Sequence, residues 1–245
     1  MPKVYCDRIA ATPLLPEVRE AMRPYLEGAF GNPQSLHAAG REAQEAVEGA
    51  RAQVAALVGA RPDEIYFAAS GSEANNFALK GLALGQQSKG RHLVVSAVEH
   101  SSVLNSVKAL ERLGFTSSLV PVDRAGLVDP ADVAKALTEE TTVVSVMTAN
   151  SEVGTIQPVA EIAAVCRERG VLFHTDAVAA AGSVALDVKA LGVDALSLAG
   201  DQFYGPKGSA ALFVRKGVRV LPLVDGGIQE GGRRGGTENV PAIVG

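Results

Sequence analysis

The chain has few of the residues that mark specialised classes of protein. Its 245 residues include no tryptophan and only two cysteines, Cys6 and Cys166, too few for a disulfide framework. The formal net charge is -4, from 23 basic and 27 acidic side chains, so no broad basic field would attract nucleic acid or a membrane surface. No apolar run is long enough to span a bilayer, and the first residues lack the apolar core of a signal peptide. We therefore expect a cytoplasmic protein that binds neither nucleic acid nor membrane.

The remaining composition favours an ordinary globular protein, with 47% hydrophobic and 20% charged residues. Apolar strand patterns alternate with helical ones, which predicts an α/β fold with three layers: a mostly parallel sheet covered by helices on both faces. Residues 143–147 form a continuous run typical of a strand buried on both faces. The predicted helices cover 16–27, 36–58, a segment ending at 84, 102–113, 130–137 and 158–169. The predicted strands cover 64–67, 93–96, 118–122, 143–147, 171–174, 195–198 and 210–214, the last as a hairpin return.

The two ends of the chain differ from its middle. We divide it into an N-terminal segment, 1–14, and one large domain, 15–245. Paired glycines between 226 and 236 predict a flexible loop. Residues 241–245 have the pattern of a helix that is beginning.

Three short motifs follow predicted strands and carry possible chemistry. Ser70-Gly71-Ser72 stands before a helix, where glycine lets a phosphate approach the backbone and the helix N-terminus offers free N–H donors; an ordinary helix cap is the alternative. His100 is either a proton carrier or a surface residue. Asp176 ends an apolar strand, where a carboxylate points into the ligand crevice of a parallel sheet, or it caps the next segment.

A longer stretch, Ser197 to Gly208, resembles the cofactor-lysine segment of the cysteine desulfurases, in the class V branch of the pyridoxal-phosphate (PLP) aminotransferase fold. The similarity extends over nearly the whole chain. Further motifs follow in the family's order, and together they leave little room for coincidence: Tyr5 to Pro13, Asn32 to His37, Glu64 to Asn76, Glu99-His100, Glu152 to Pro158, His174 to Ala177 and Gly235 to Asn239.

The resemblance implies a PLP-transferase large domain and PLP as cofactor. It implies that Gly71 and Ser72 hold the phosphate, that His100 stacks on the ring and that Asp176 pairs with the ring nitrogen. It also implies a homodimer, in which Thr237 reaches the phosphate of the neighbouring subunit. A small C-terminal domain, with the catalytic cysteine loop and a substrate-binding arginine, would follow residue 245.

The chain departs from the family around the same ligand. Gln202 occupies the position of the Schiff-base lysine, and an amide cannot form an imine. Four further positions differ from the family's pattern: Ala199 for serine, Asp201 for histidine, Ser151 for asparagine and Ala179 for glutamine. Lys207 is the nearest amine, but the family has a lysine there in addition to the missing one. Cys166 is expected to be a buried structural thiol.

Three hypotheses remain open from the sequence. The first is a PLP-dependent cysteine desulfurase-like protein of sulfur mobilisation and iron–sulfur assembly, acting on a small amino acid and impaired or inactive because of Gln202. The second is a non-catalytic scaffold that binds a sulfur acceptor or an iron–sulfur scaffold protein. The third is a non-covalent binder of PLP, of a PLP–amino acid adduct or of another phosphate ligand. We expect no metal site.

Overall fold

The computed structural model describes residues 4–245. In that part of the chain no helix is both long enough and apolar enough to cross a membrane. The helices are α1 (Pro16–Glu27), α2 (Ala38–Leu57), α3 (Gly71–Gln86), α4 (Ser101–Glu111), α5 (Pro130–Ala136), α6 (Val159–Glu168), α7 (Val188–Leu191), the short turn α8 (Gln229–Gly232) and α9 (Val240–Val244). The strands are β1 (Ile65–Ala68), β2 (His92–Ser96), β3 (Thr116–Val120), β4 (Thr141–Ser145), β5 (Leu172–Asp176), β6 (Ala195–Ala199) and β7 (Ala210–Val214).

All seven strands form one sheet in the order β1-β7-β6-β5-β4-β2-β3. The five strands β3, β2, β4, β5 and β6 are parallel, and β7 runs antiparallel to both β6 and β1. The predicted hairpin return and the mostly parallel sheet are both confirmed. Because β7 is antiparallel to both of its neighbours, β1 points the same way as β6. The carboxyl ends of β1, β2, β4, β5 and β6 therefore meet at one edge.

Helices cover both faces of this sheet. One hydrophobic core contains Val47 of α2, Val133 of α5 and Ile162 of α6. The other contains Phe77 of α3 and Val107 of α4. The predicted three-layer α/β architecture is confirmed, and each face is closed by apolar helix stripes at helical spacing.

The strand bounds differ most from the prediction at β3 and β4, which both begin and end two residues earlier than predicted, and at the end of β5. Strand β4 ends at Ser145, although the apolar run continues to Met147. The extra residues still follow β5, because Val146 donates to the carbonyl of His174 and Thr148 to that of Asp176. Strand β5 reaches Asp176, two residues beyond the predicted end. Hydrogen bonding to the neighbouring strand, which a hydrophobic pattern does not report, sets these ends.

The glycine-rich loop is anchored to the core rather than free along its length. Glu230 has a left-handed backbone, with φ of 50°, and its side chain is only 2% exposed. Its carboxylate accepts two hydrogen bonds from Arg51, at 2.7 and 2.9 Å, and one from the Phe67 amide at 2.9 Å. These bonds satisfy a buried charge and outweigh the cost of the strained backbone. The prediction of a flexible loop did not include this anchor.

Candidate functional site

A cavity of about 600 Å³ opens at the sheet edge where the carboxyl ends of the strands meet. Ligands of open α/β sheets bind at this edge. Six of the seven sequence-predicted site residues line the cavity: Gly71, Ser72, His100, Ser151, Asp176 and Gln202. Three of the departures from the family pattern, Ala179, Ala199 and Asp201, line the same cavity.

The start of α3 forms one wall. Ser70, not Ser72, is the cap: its Oγ accepts from the Glu73 amide at 3.1 Å, while Glu73 Oε2 accepts from the Ala69 amide at 3.1 Å. The Ser72 hydroxyl is therefore not needed for capping. A Cβ atom on Gly71 would lie 2.8 Å from Val178 Cγ2, so only glycine brings the helix N-terminus this close to the opposite wall.

Asp176 lies at the end of β5 and is 4% exposed. Its Oδ1 accepts from the Val178 amide at 2.9 Å, and its Oδ2 accepts from Asn75 Nδ2 at 2.6 Å. Burial raises the pKa of this carboxyl, and those two hydrogen bonds oppose the shift. In the part of the chain that the structure describes, no lysine or arginine forms an ion pair with Asp176. A cationic N–H in the cavity would supply that partner and favour the ionised carboxylate.

Asn75 and Ser102 connect Asp176 to His100. Asn75 uses both amide hydrogens, one toward Asp176 and one toward Ser102 Oγ at 2.9 Å. The Ser102 hydroxyl can then donate only to His100 Nδ1, at 2.7 Å, which also accepts from the Ser102 amide at 3.2 Å. Because Nδ1 accepts twice, a neutral His100 carries its proton on Nε2.

Glu99 lies beside this network and is 6% exposed. Burial raises the pKa of its carboxyl to about 8, and the charge of Asp176 adds to the shift. Oε1 accepts from Ser96 Oγ at 2.6 Å and from the Met147 amide at 2.7 Å, whereas Oε2 has no partner within the described chain. A second buried carboxyl therefore favours its neutral form at neutral pH.

The opposite side of the cavity is built by the turn Gly200–Gln202 and by residues near the start of the chain. Gln202 Nε2 donates to the Ala10 carbonyl at 3.2 Å. The Asp201 carbonyl accepts from both the amide and the hydroxyl of Thr12, each at 2.9 Å. Thr12 Oγ1 in turn accepts from the amide of Tyr204 at 2.6 Å, where the backbone is left-handed with φ of 71°. This wall contains an amide and a carboxylate but no amine.

Three residues weighed from the sequence lie outside the cavity. Thr237 is exposed and is not among the lining residues. Its expected role toward a neighbouring subunit stays a prediction. Lys207 is exposed and does not line the cavity. Cys166 is 1% exposed, and burial raises the pKa of its thiol to about 12, which fits the predicted structural role.

Sequence reasoning missed Asn75 and Ser102 as site residues. A signal for Asn75 was available, because it follows Gly71 by four positions and so shares its helix face. Ser102 becomes a candidate only when α3 and α4 pack together, which no local pattern predicts.

The fold and the cavity at this sheet edge define a PLP-transferase large domain. The model of the aminotransferase class-V family matches residues 4–245. Cysteine desulfurase IscS of Dictyoglomus turgidum is 49% identical over 243 residues, and a cysteine desulfurase of Mus musculus is 46% identical over 245. Two solved structures, a NifS-like protein and SspA in complex with cysteine, superpose with TM-scores of 0.96 and 0.95 at 39% identity, covering 99% of this chain and 67% and 70% of theirs. The chain therefore belongs to the cysteine desulfurase family of class V aminotransferases.

The chain matches only part of its relatives. The alignment spans 99% of this chain but 62% of the Dictyoglomus turgidum protein and 53% of the mouse protein. The division into residues 1–14 and 15–245, and the small domain expected beyond them, stay predictions.

Proteins of this family depend on PLP, and the cavity fits that cofactor at one end. Within residues 4–245 no lysine or arginine pairs with the buried carboxylate of Asp176, which suits a protonated ring nitrogen, and the helix N-terminus at Gly71 suits a phosphate. The other end does not offer covalent attachment, because within residues 4–245 no lysine lines the cavity.

Proposed function

We propose that this chain is a cysteine desulfurase-like protein of sulfur mobilisation that holds PLP without a covalent bond and is impaired or inactive in desulfuration. The observation that carries the proposal is Gln202, which lines the same cavity as Asp176 and His100. Its amide cannot take the role of a lysine amine in attaching the cofactor or exchanging it with an amino acid.

Each remaining site residue has a role in this proposal. Gly71 and Ser72 bind the phosphate, and Asp176 holds the proton of the ring nitrogen. His100 lies against the ring with Nε2 as its proton-carrying atom, and Asn75 and Ser102 keep that tautomer. Bound PLP supplies an electron sink next to the amino group of a substrate. Thr237 contributes to the phosphate site of the neighbouring subunit.

The proposal extends to partners and location. We propose a cytoplasmic homodimer that acts in iron–sulfur assembly, with a small amino acid as ligand and a sulfur-acceptor or iron–sulfur scaffold protein as partner. The relatives named cysteine desulfurases support this assignment. The departures at Ala179, Ala199, Asp201 and Gln202 support a binding role over turnover.

The proposal is tested by titrating the chain with PLP while its visible absorption spectrum is recorded. The samples are then reduced with borohydride and dialysed. We expect an absorbance change that saturates as PLP is added, and we expect dialysis to remove the cofactor even after reduction. A spectrum that stays on the protein after reduction would show that a lysine carries the cofactor, and the proposal would be wrong. Absence of any binding would leave only the scaffold hypothesis.

The chain offers matched variants for this experiment. Gln202→Lys restores an amine in the cavity and should make the cofactor reducible onto the protein. Lys207→Arg removes the nearest other amine and should leave the wild-type result unchanged. Sulfide release from cysteine, measured on the same samples, should stay at background in the wild-type chain.

A further inference from the structure

A second cavity, which we call the side chamber, adjoins the first and measures about 520 Å³. The two cavities share five lining residues, so they lie directly beside each other. These shared residues are Ile9, Ala149, Ser151, Ala179 and Gln202. A ligand that fills the first cavity can therefore extend into the side chamber.

Three of the five shared residues, which form the passage between the cavities, are small. Ala149, Ser151 and Ala179 have at most one heavy atom beyond Cβ. Gln202 is the longest side chain of the passage, and its donation to the Ala10 carbonyl at 3.2 Å fixes it to the N-terminal segment.

The apolar walls of the side chamber are Ile156, Ala181, Val184 and Phe203. Ala181 is buried, Val184 and Phe203 are half-buried, and Ile156 is exposed. Together they form an apolar surface beside a cavity whose other side is lined by carboxylates. An apolar ligand group that enters here is removed from water, which favours binding in proportion to the area buried.

Three of the polar side chains that line the side chamber already have hydrogen-bond partners. Thr12 Oγ1 donates to the Asp201 carbonyl and accepts from the Tyr204 amide. Asn150 Nδ2 donates to the Val98 carbonyl, and its Oδ1 accepts from the amides of Glu152 and Val153. Arg8 donates to the Tyr204 hydroxyl at 2.7 Å. A polar ligand group would have to replace these bonds, whereas an apolar one only covers the free surface.

We propose that the side chamber binds the bulky apolar side chain of an amino acid whose amino group is joined to the pyridoxyl phosphate in the first cavity. The inference rests on the proposed function, since it requires that ring and phosphate to occupy the first cavity. It names a ligand class, aromatic or branched amino acids, that differs in size and polarity from cysteine.

Stable phosphopyridoxyl amino acids test the inference without any reaction. These reduced adducts carry a secondary amine, and their binding to the chain is measured by calorimetry. We expect phosphopyridoxyl-L-phenylalanine and phosphopyridoxyl-L-leucine to bind at least tenfold more tightly than phosphopyridoxyl-L-alanine. Equal affinities for the three adducts would overturn the inference and leave the proposed function intact. If none of them binds, both are wrong.

Two variants and one control assign the preference to the side chamber. Val184→Trp fills the chamber and should reduce the preference to twofold or less, with the alanyl adduct unaffected. Val153→Trp adds the same bulk at an exposed position outside both cavities and should keep the full preference. If Val184→Trp does not fold, Ile156→Glu at an exposed wall position should reduce the preference by placing a charge against the apolar group. A preference unchanged in the folded variants would contradict the inference.

Discussion

The two ends of the candidate cavity are built in different ways. At the end that contains Asp176, the buried side chains of Asp176, Asn75 and Ser102 are joined by hydrogen bonds of 2.6 to 3.2 Å to the exposed His100. At the end that contains Gln202, the side chains are half-buried and contact a segment from the start of the chain. The departures Ala199, Asp201 and Gln202 all lie at the second end. The position of the family's Schiff-base lysine therefore lies in the half-buried wall, while the residues expected to hold a ring keep their hydrogen bonds at the other end.

The largest expected effect on PLP binding comes from removing the carboxylate of Asp176 at the buried end of the cavity. Asp176→Asn keeps the shape but loses the carboxylate that pairs with a protonated ring. A hydrogen bond to a charged group contributes roughly 1.5–3 kcal/mol, so PLP should bind about 10- to 100-fold more weakly in a fluorescence titration. An unchanged affinity would mean that the buried network does not contact the ring.

The buried end should also make stability depend on pH through Glu99. The pKa of this carboxyl is about 8 in the folded chain and 4.5 in its ordinary state, so between these values the unfolded chain loses the proton first. The contribution of Glu99 to stability should therefore be fully present below about pH 4.5 and be lost as pH rises toward 8, by roughly 3–4 kcal/mol between pH 5 and pH 8. Glu99→Gln should remove this loss in denaturant titrations at pH 5 and pH 8. Glu152→Gln, an exposed change at the same cavity, is the control and should keep it.

A smaller effect is expected at Ser102. Ser102→Ala removes the hydroxyl that donates to His100 Nδ1, but the amide of residue 102 still donates to the same atom. The ring should therefore keep its proton on Nε2, and PLP affinity should fall only about threefold, in line with one neutral hydrogen bond. Nitrogen-15 NMR of the chain, which contains four histidines, reads the tautomer directly without any ligand. Ser106→Ala, one turn further along α4, removes a hydroxyl that bonds only the Ser102 carbonyl and should leave the His100 signals in place. If His100 carries its proton on Nδ1 in the wild-type chain or in Ser102→Ala, the assigned network is incorrect.

The smallest effect should have the opposite sign and come from the open end. Asp201→Asn removes a carboxylate from a cavity that must hold a phosphate, so PLP should bind about two- to fivefold more tightly at low salt. The gain should shrink at 0.5 M salt, because exposed charges are screened there. Weaker binding in this variant would contradict the contrast between the two ends.

Much of this arrangement follows from the sequence. Alternating apolar runs predict the sheet, and the positions of Gly71, His100 and Asp176 after strands predict that they meet at one edge. The hydrogen bonds among Asn75, Ser102 and His100 do not follow, because they depend on how α3 packs on α4. The side chamber was also missed, because the small residues between the two cavities come from two distant segments and a sequence pattern does not report space.

The wall formed by Thr12 and Tyr204 has a consequence for how the protein responds to a ligand. These residues are 192 positions apart, and the bonds of Thr12 to Tyr204 and Asp201 close the cavity on that side. The early segment gains little burial of its own, since residues 4–10 are exposed. A bound molecule that contacts both the segment near Thr12 and the segment near Tyr204 would therefore hold them together. Occupancy of the cavity would then slow amide hydrogen exchange at Thr12 and Tyr204 and protect the chain from proteolytic cleavage near residue 10. Both measurements are independent of the ligand's own spectrum.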